Sequence, residues 1–165
     1  LAFGGSLGAT QINQVIAKLV QIFQEKELSI HHQVGKGNEF DIALSPNVEY
    51  KQYTYIDNIS LEYQWADFIL ARAGASTISE LRVIQKPCVL VPFPFATDNH
   101  QYYNALNLQQ EAEFPVLILD QTKSPEELAE NLKKFLLGSN ANVYTRKKID
   151  NAASDIVKVI HTCLV

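Results

Sequence analysis

A glycine-rich segment near the start of the chain, Gly4-Gly5-Ser6-Leu7-Gly8, connects a short apolar stretch to a helical pattern. Glycines let a ligand approach the backbone closely, and the following helix start directs N–H groups and the positive end of its dipole at that ligand. A phosphate suits such a place. The segment matches neither GxxxxGK[ST] nor GxGxxG, so a tight strand-to-helix turn explains it equally well.

A second segment of small residues, Arg72-Ala73-Gly74-Ala75-Ser76-Thr77, also precedes a helical pattern. Small residues leave room for a ligand, and hydroxyl groups can accept hydrogen bonds from exposed N–H groups. Glu80 follows one turn into this helix, where its carboxylate could accept hydrogen bonds from both hydroxyls of a ribose. The structural alternative is a capping box in which Glu80 pairs with Thr77.

A third polar segment, Asp98-Asn99-His100-Gln101 with Asn104, follows a proline-rich loop. Amide and imidazole groups both donate and accept hydrogen bonds, which matches the neighbouring hydroxyls of a sugar. The alternative is a helix N-cap at Asp98 or Asn99 with surface polar residues behind it.

The other polar residues do not suggest a metal site or a nucleophile. His31 and His32 are adjacent in a predicted strand, so their side chains point to opposite faces and cannot share an ion. The sequence has no HExxH or CxxC motif and no GxSxG spacing around Ser76. Cys88 and Cys163 lie in apolar patterns and are predicted to be packing residues. We expect no metal, no disulfide and no serine nucleophile.

Apolar runs of strand length alternate with helical patterns, which predicts an α/β fold with a Rossmann-like parallel sheet and helices on both faces. Besides an opening strand that runs into Gly4, strands are predicted over 29–34, 48–56, 67–71, 89–91 and 116–119. Helices are predicted after Gly8 and over 58–66, 76–85, 99–113, 124–138 and 149–164.

In such a sheet, ligands bind beyond the carboxyl ends of the strands, where loops lead into helices. Each of the three polar segments follows a predicted strand. We therefore expect all three to meet at one edge of the sheet.

Length and composition fit one folded soluble domain over 1–165, with 47% hydrophobic and 19% charged residues. The net charge of −4 and the dispersed Lys and Arg residues argue against nucleic-acid binding. No apolar stretch reaches about 18 residues and no signal peptide is recognisable, which favours a cytoplasmic location. Because the chain opens within a strand pattern, we expect that upstream sequence is missing.

Taken together, the polar segments resemble the C-terminal, donor-binding domain of the MurG family. These peptidoglycan N-acetylglucosaminyltransferases belong to glycosyltransferase family 28 and have the two-domain GT-B fold. The resemblance covers most of the chain and is carried by segments 4–9 with Asn13, 55–57, 65–67, 72–80 and 91–105.

The resemblance implies that the chain binds UDP-N-acetylglucosamine, with small residues on the phosphates. Ser6 would face the phosphates or the sugar. The glycines and the helix start assigned to the phosphates are Gly4, Gly5, Gly8, Gly74, Ala75, Ser76 and Thr77.

The same resemblance implies that Ile56 lies beside uracil and offers it backbone hydrogen bonds. Glu80 would bind the ribose, and Gln101 with His100 would bind hydroxyls of N-acetylglucosamine. Leu7 stands where family members often have glutamine, and His100 stands where some members have glutamine, so sugar contacts there can differ.

The implied reaction is an inverting transfer of N-acetylglucosamine to undecaprenyl-diphospho-N-acetylmuramoyl-pentapeptide in peptidoglycan synthesis, with no cofactor and no metal in this half. The family's general base, lipid-acceptor surface and peripheral membrane contact belong to an N-terminal domain that this chain lacks. We therefore expect the chain alone to bind donor weakly and to catalyse nothing.

Two other hypotheses remain open from the sequence. One is the donor-binding subunit of another GT-B N-acetylglucosaminyltransferase, of the dolichol-linked type. The other is a nucleotide-sugar-binding module without catalysis, because a fold alone does not specify a reaction.

Overall fold

Six parallel strands form one sheet in the computed structural model, which describes residues 1–5 and 7–138. The strands are β1 (Ala2–Phe3), β2 (Leu28–Gln33), β3 (Val48–Tyr53), β4 (Ile69–Ala71), β5 (Cys88–Leu90) and β6 (Val116–Ile118). The helices are α1 (Thr10–Ile22), α2 (Ile59–Trp65), α3 (Ala75–Ile84), α4 (His100–Glu111) and α5 (Pro125–Leu137), and a short 3-10 turn covers Thr97–Asn99.

The strand order in the sheet is β3-β2-β1-β4-β5-β6. The chain therefore builds outward from β1 to β3, returns to the middle at β4, and then builds outward in the other direction. All neighbouring strands are parallel. The sheet opens a crevice between the carboxyl ends of β1 and β4, where the direction of building reverses.

Helices cover both faces of the sheet, as the sequence predicted. One core lies against α2, α3 and α4 and includes Tyr63, Leu81 and Leu108. The other lies against α1 and α5 and includes Leu19 and Leu132. Strands buried on both faces explain the continuous apolar runs of the sequence.

The helix boundaries follow local signals. The predicted apolar stripe of α1 is fully buried and consists of Ile12, Val15, Ile16, Leu19, Val20 and Phe23. Helix α5 begins with the predicted capping box: the Glu127 N–H donates to Ser124 Oγ, and the Ser124 N–H donates to Glu127 Oε2, both at 3.2 Å. The residue after α5 is Gly138, as predicted.

Two predicted strands are too long. Strand β3 ends at Tyr53, because the chain then turns and buries Ile56 in the core beside α2. Strand β4 begins at Ile69, since Asp67 is exposed rather than part of the buried run. The helix predicted over 149–164, with Cys163, and the loop residue Ser6 lie outside the described residues.

The two adjacent histidines and Cys88 lie as their sequence contexts predicted. His31 stacks on Trp65 of α2, whereas His32 bonds to Tyr50 Oη on the other face, as their adjacency in a strand predicted. Cys88 is fully buried with a free thiol, and burial raises its pKa to about 12. A thiol with so high a pKa stays protonated and acts as a packing group.

Among residues 1–5 and 7–138, no helix is both long and apolar enough to cross a membrane. The same residues contain no group of three or more His, Cys, Asp or Glu side chains that could hold a metal ion.

Candidate functional site

The three polar segments meet at the carboxyl edge of the sheet. In the strand pairing, Phe3 at the end of β1 lies opposite Ala71 of β4, and Ala71 lies opposite Leu90 of β5. The segments that follow these strands are therefore neighbours. This placement confirms the expected meeting of the segments, although their roles toward a ligand stay predictions.

The glycine-rich segment is held tightly against the turn after β2. Gly8 has φ +74°, and a Cβ there would overlap the carbonyl group of Val34. Its N–H donates to Gly5 O at 3.0 Å. Asn13 of α1 donates through Nδ2 to Val34 O at 3.1 Å, which fixes the same turn from the helix. Gly5, in contrast, is exposed at φ +91° with open space around it.

Gln33, at the end of β2, joins two of the predicted ligand segments. This buried side chain donates through Nε2 to Gly5 O at 2.7 Å and accepts the Ile56 N–H through Oε1 at 2.9 Å. The Ile56 N–H is therefore bonded within the chain and does not serve uracil in this conformation. Gln33 was not among the predicted site residues, although a polar residue that closes a buried strand just before Gly35 is a signal for such a role.

The start of α3 is open to the carboxyl edge. Its N-cap is Gly74, with φ −66° and ψ 154°, and no side chain caps the helix. The first helical hydrogen bond runs from Ile78 N–H to Gly74 O, so the N–H groups of Ala75, Ser76 and Thr77 precede the helical ladder. Such groups form a site for an anion. A Cβ on Gly74 would meet nothing within 4 Å, which leaves space for a ligand here.

The capping-box alternative for Glu80 is wrong. Helix α3 begins at Ala75, so Thr77 is already inside the helix and cannot cap it. The Glu80 carboxylate instead accepts a hydrogen bond from Tyr63 Oη of α2, with an oxygen–oxygen distance of 2.6 Å. Burial raises the pKa of Glu80, and the Tyr63 hydrogen bond opposes that rise to a smaller extent.

The loop between β5 and α4 is fastened to the other segments by side chains. Arg72 donates through Nη1 to Val91 O at 2.9 Å and to Pro92 O at 3.3 Å, and its guanidinium lies over the Phe93 ring. The Phe93 N–H donates to Oε1 of the predicted sugar ligand Gln101 at 3.0 Å. We did not anticipate these contacts, because they join residues that are distant in sequence.

Asn104 of α4 ties its helix to the turn after β4, since its Nδ2 donates to Ala73 O at 3.2 Å. The start of α4 and the start of α3 are thereby linked. The third polar segment is thus held beside the second one.

His100 begins α4 and is exposed. Its Nδ1 lies 2.8 Å from Thr97 O. Because a carbonyl oxygen only accepts, Nδ1 donates a hydrogen to it, and in the neutral imidazole Nε2 is then an acceptor. The N-cap of α4 is Asn99, as the structural alternative predicted, although its side chain makes no capping hydrogen bond. Asp98 and Asn99 both have φ +52°, a left-handed conformation that is uncommon outside glycine.

A cavity of about 430 Å³ lies at the opposite edge, where the strands begin. Leu1, Leu28 and Ile69 line it, together with Trp65 and Leu132. None of the predicted ligand residues lines it, and it is separate from the site described here.

A doubly wound parallel sheet, a glycine-rich turn at its switch point and an uncapped helix start with a half-buried carboxylate one turn inside that helix are typical of α/β domains that bind nucleotides. Residues 1–160 match the model of the glycosyltransferase family 28 C-terminal domain. The chain belongs to this family, and the resemblance drawn from the sequence is confirmed.

Curated relatives include two enzymes named "UDP-N-acetylglucosamine--N-acetylmuramyl-(pentapeptide) pyrophosphoryl-undecaprenol N-acetylglucosamine transferase". The one from Rickettsia massiliae is 35% identical over 159 residues, covering 88% of this chain and 42% of the relative. The one from Rickettsia felis is 36% identical over 159 residues, covering 88% of this chain and 44% of the relative. The chain thus spans less than half the length of these enzymes.

Solved structures agree with the fold. A crystal structure of MurG from Acinetobacter baumannii matches with a TM-score of 0.69 and 27% identity, over 98% of this chain and 48% of that one. A glycotransferase of kitacinnamycin matches with a TM-score of 0.53 and 16% identity, over 98% of this chain and 39% of that one. The second likeness concerns the fold alone.

Proposed function

We propose that this chain is the donor-binding half of an enzyme that transfers N-acetylglucosamine from UDP-N-acetylglucosamine to undecaprenyl-diphospho-N-acetylmuramoyl-pentapeptide. This step belongs to peptidoglycan synthesis. The observation that carries the proposal is Glu80, a half-buried carboxylate that Tyr63 holds beside the uncapped start of α3. A carboxylate in this position suits the vicinal hydroxyls of a ribose, and the adjacent helix start suits the attached diphosphate.

The diphosphate is bound by backbone groups from two segments. The N–H groups of Ala75, Ser76 and Thr77 meet its negative charge, and the open space at Gly74 admits it close to the backbone. Gly4, Gly5 and Gly8 close the other side of the crevice, and Ser6 is assigned to the phosphates or the sugar by its place in the sequence. These groups also stabilise the charge that develops on UDP as the leaving group departs.

Uracil lies beside Ile56. The N–H of this residue is bonded to Gln33, so the carbonyl oxygen is the backbone group that Ile56 offers to the base. Gln33 thereby holds the uracil segment and the glycine-rich segment at a fixed separation.

The sugar is recognised from the start of α4. In its neutral form, His100 offers Nε2 as an acceptor, because its Nδ1–H is donated to Thr97 O. Gln101 offers its Nε2 hydrogens, because its Oε1 accepts the Phe93 N–H. One acceptor and one donor can then bind two hydroxyls of N-acetylglucosamine.

The reaction inverts the anomeric carbon: the acceptor hydroxyl attacks it, the bond to UDP breaks, and UDP leaves with the bonding electrons. The proton of the acceptor hydroxyl passes to a general base outside this chain. We place that base, the lipid-acceptor surface and a peripheral contact with the cytoplasmic face of the membrane in the portion of the longer relatives that this chain does not span.

The test is calorimetric titration of UDP-N-acetylglucosamine into the chain and into Glu80→Ala. We expect weak binding, approaching the millimolar range, and a loss of about tenfold or more in the variant, because a hydrogen bond to a charged group contributes about 1.5–3 kcal/mol. Equal affinity in both proteins would contradict the proposal.

The matched control is Glu62→Ala. Glu62 is also a carboxylate on a helix, its side chain is 18% exposed, and it lies 2.6 Å from His31 Nδ1. We expect its removal to leave donor affinity within about twofold of the wild-type chain, a change of about 0.4 kcal/mol, since Glu62 lies outside the three segments assigned to the donor.

A further inference from the structure

Tyr63 lies between two of the segments assigned to the donor, although it faces neither the crevice nor the solvent. The residue is 1% exposed. Its ring meets the Phe3 ring edge-on, with centroids 5.9 Å apart, and Phe3 is the last residue before the glycine-rich segment. Its hydroxyl reaches Glu80 in the neighbouring helix at 2.6 Å.

We propose that Tyr63 is a positioning residue for ribose recognition: its hydroxyl holds the Glu80 carboxylate in the orientation that receives the ribose hydroxyls. The inference rests on the proposed function, because it takes Glu80 to be the ribose ligand. Nothing in it requires Tyr63 to touch the donor.

The hydrogen-bonding capacity of the carboxylate allows this arrangement. An ionised carboxylate accepts at about four lone-pair positions, and Tyr63 occupies one of them on Oε2. The remaining positions are enough for two ribose hydroxyls. Held in this way, Glu80 loses less side-chain freedom when ribose binds, and a preorganised ligand binds more tightly for that reason.

Tyr63 is itself held rigidly, which a positioning residue requires. Lys86, just beyond the end of α3, donates through Nζ to three carbonyl oxygens at the end of α2. These are Tyr63 O at 2.7 Å, Gln64 O at 2.9 Å and Ala66 O at 2.6 Å. A cation at a helix carboxyl end also meets the negative end of the helix dipole. Helices α2 and α3 are thus connected by the hydrogen bonds of Lys86 and again by the Tyr63–Glu80 hydrogen bond.

The experiment compares Tyr63→Phe with the wild-type chain by calorimetric titration of two ligands, UDP and 2′,3′-dideoxy-UDP. Phenylalanine keeps the ring and its contact with Phe3 and removes only the hydroxyl. We expect UDP to bind about 3- to 10-fold more weakly to the variant, the size expected for ordering one flexible side chain. The dideoxy ligand, which has no ribose hydroxyls, should lose less than about twofold.

A purely structural role for the hydroxyl predicts a different pattern, since a distorted site would weaken both ligands equally. Equal loss overturns the proposal, and so does unchanged UDP affinity in Tyr63→Phe while Glu80→Ala weakens it. If Glu80→Ala itself leaves UDP affinity unchanged, the ribose contact of the proposed function fails, and Tyr63 positioning fails with it.

Two further variants complete the test. In a Glu80→Ala background, Tyr63→Phe should cause no additional loss of UDP affinity, because the group that it positions is absent. Tyr50→Phe is the matched control, as it also removes a hydroxyl bonded to a side chain, His32 Nδ1 at 2.8 Å. Its UDP affinity should equal that of the wild-type chain, and a loss as large as that of Tyr63→Phe would overturn the proposal.

Discussion

At the scale of single residues, Gly8 and Gly74 lie in loops at the same edge of the sheet for different physical reasons. Gly8 needs to be glycine for the fold, since its φ is +74° and a Cβ would overlap the Val34 carbonyl group. Gly74 has an ordinary φ of −66°, and a Cβ there meets nothing within 4 Å. Neither backbone strain nor packing requires the second glycine, and under the proposed function it lets the diphosphate approach the backbone closely.

Replacing Gly74 with alanine should therefore separate binding from stability. As an N-cap, alanine is poorer than glycine, but it also reduces the freedom of the unfolded chain, so the free energy of unfolding should change by about 1 kcal/mol or less. The added methyl group occupies ligand space, and affinity for UDP-N-acetylglucosamine should fall about tenfold, a loss of about 1.4 kcal/mol. Thermal unfolding and calorimetric titration measure the two effects.

Gly8→Ala is the companion variant, and we expect it to lose about 1–3 kcal/mol of stability through strain at a left-handed backbone position. If Gly74→Ala binds donor as well as the wild-type chain does, the diphosphate does not approach Gly74 and our placement of it is wrong.

Glu80 should make stability depend on pH in the direction opposite to that of a typical ion-paired carboxylate. Burial raises its pKa above the ordinary 4.5, so the charged form is less favourable in the folded chain than in the unfolded one. Below pH 4.5 both states hold the proton and no difference arises. As pH rises through the folded-state pKa, ionisation of Glu80 lowers the stability of the folded chain.

Glu80→Gln removes this charge and keeps an oxygen that can accept from Tyr63. The variant should unfold at a higher temperature than the wild-type chain at pH 7, and the two curves should converge below about pH 4.5. Thermal unfolding between pH 4 and pH 8 gives the comparison. A variant less stable than wild type at pH 7 would show that the Glu80 charge supports the fold instead of serving a ligand.

At the scale of the elements, the site depends on how the ends of β2 and α2 hold loops that come from distant parts of the chain. The Gln33 amide joins the loop after β1 to the turn after β3, through Gly5 and Ile56. Replacing a buried amide that makes two hydrogen bonds is costly, because each of the two backbone groups then lacks a hydrogen-bond partner.

Gln33→Leu removes both hydrogen bonds and keeps a similar volume. We expect a loss of about 1–3 kcal/mol in the free energy of unfolding, the cost of leaving a buried polar group unsatisfied. UDP-N-acetylglucosamine affinity should also fall, because two donor-binding loops are released together. Urea unfolding and calorimetric titration measure the two losses.

Gln52→Leu is the control for this prediction. The Gln52 amide also makes two backbone hydrogen bonds, both to Phe40, at 3.2 Å and 2.5 Å. The Gln52→Leu variant should be less stable than the wild-type chain but should bind the donor with the same affinity. Equal donor affinity in both variants would mean that Gln33 supports only the fold.

At the scale of the whole molecule, alternation of apolar runs and helical stripes was enough to predict the layers and the parallel sheet. Periodicity reports on local geometry and burial, which explains why α1 and α5 were predicted well. Periodicity does not define the residue at which a helix starts. The Thr77–Glu80 capping box is absent because α3 begins at Ala75.

The side chains that assemble the site could not be predicted in the same way. Gln33 bonds residues 28 positions before and 23 positions after it, and the Tyr63–Glu80 contact spans 17 positions. Such pairs depend on which loops become neighbours, and this follows from strand order. Spacing within one segment carries no information about it.

The central position of β1 has a consequence for the way the binding site comes into being. This strand pairs with β2 on one side and with β4 on the other, where Ala2 lies opposite Leu70. Pairing β1 with β4 closes the long segment of chain that lies between them, and closing a long segment is entropically costly and slows folding. Gly4 and Ile56 precede β4 in the chain, whereas Glu80 and His100 follow it, so neither portion can form the crevice alone. Under the proposed function, nucleotide affinity is thus a property of the completely folded chain, and UDP-N-acetylglucosamine should raise the unfolding temperature by an amount that grows with the logarithm of its concentration above Kd.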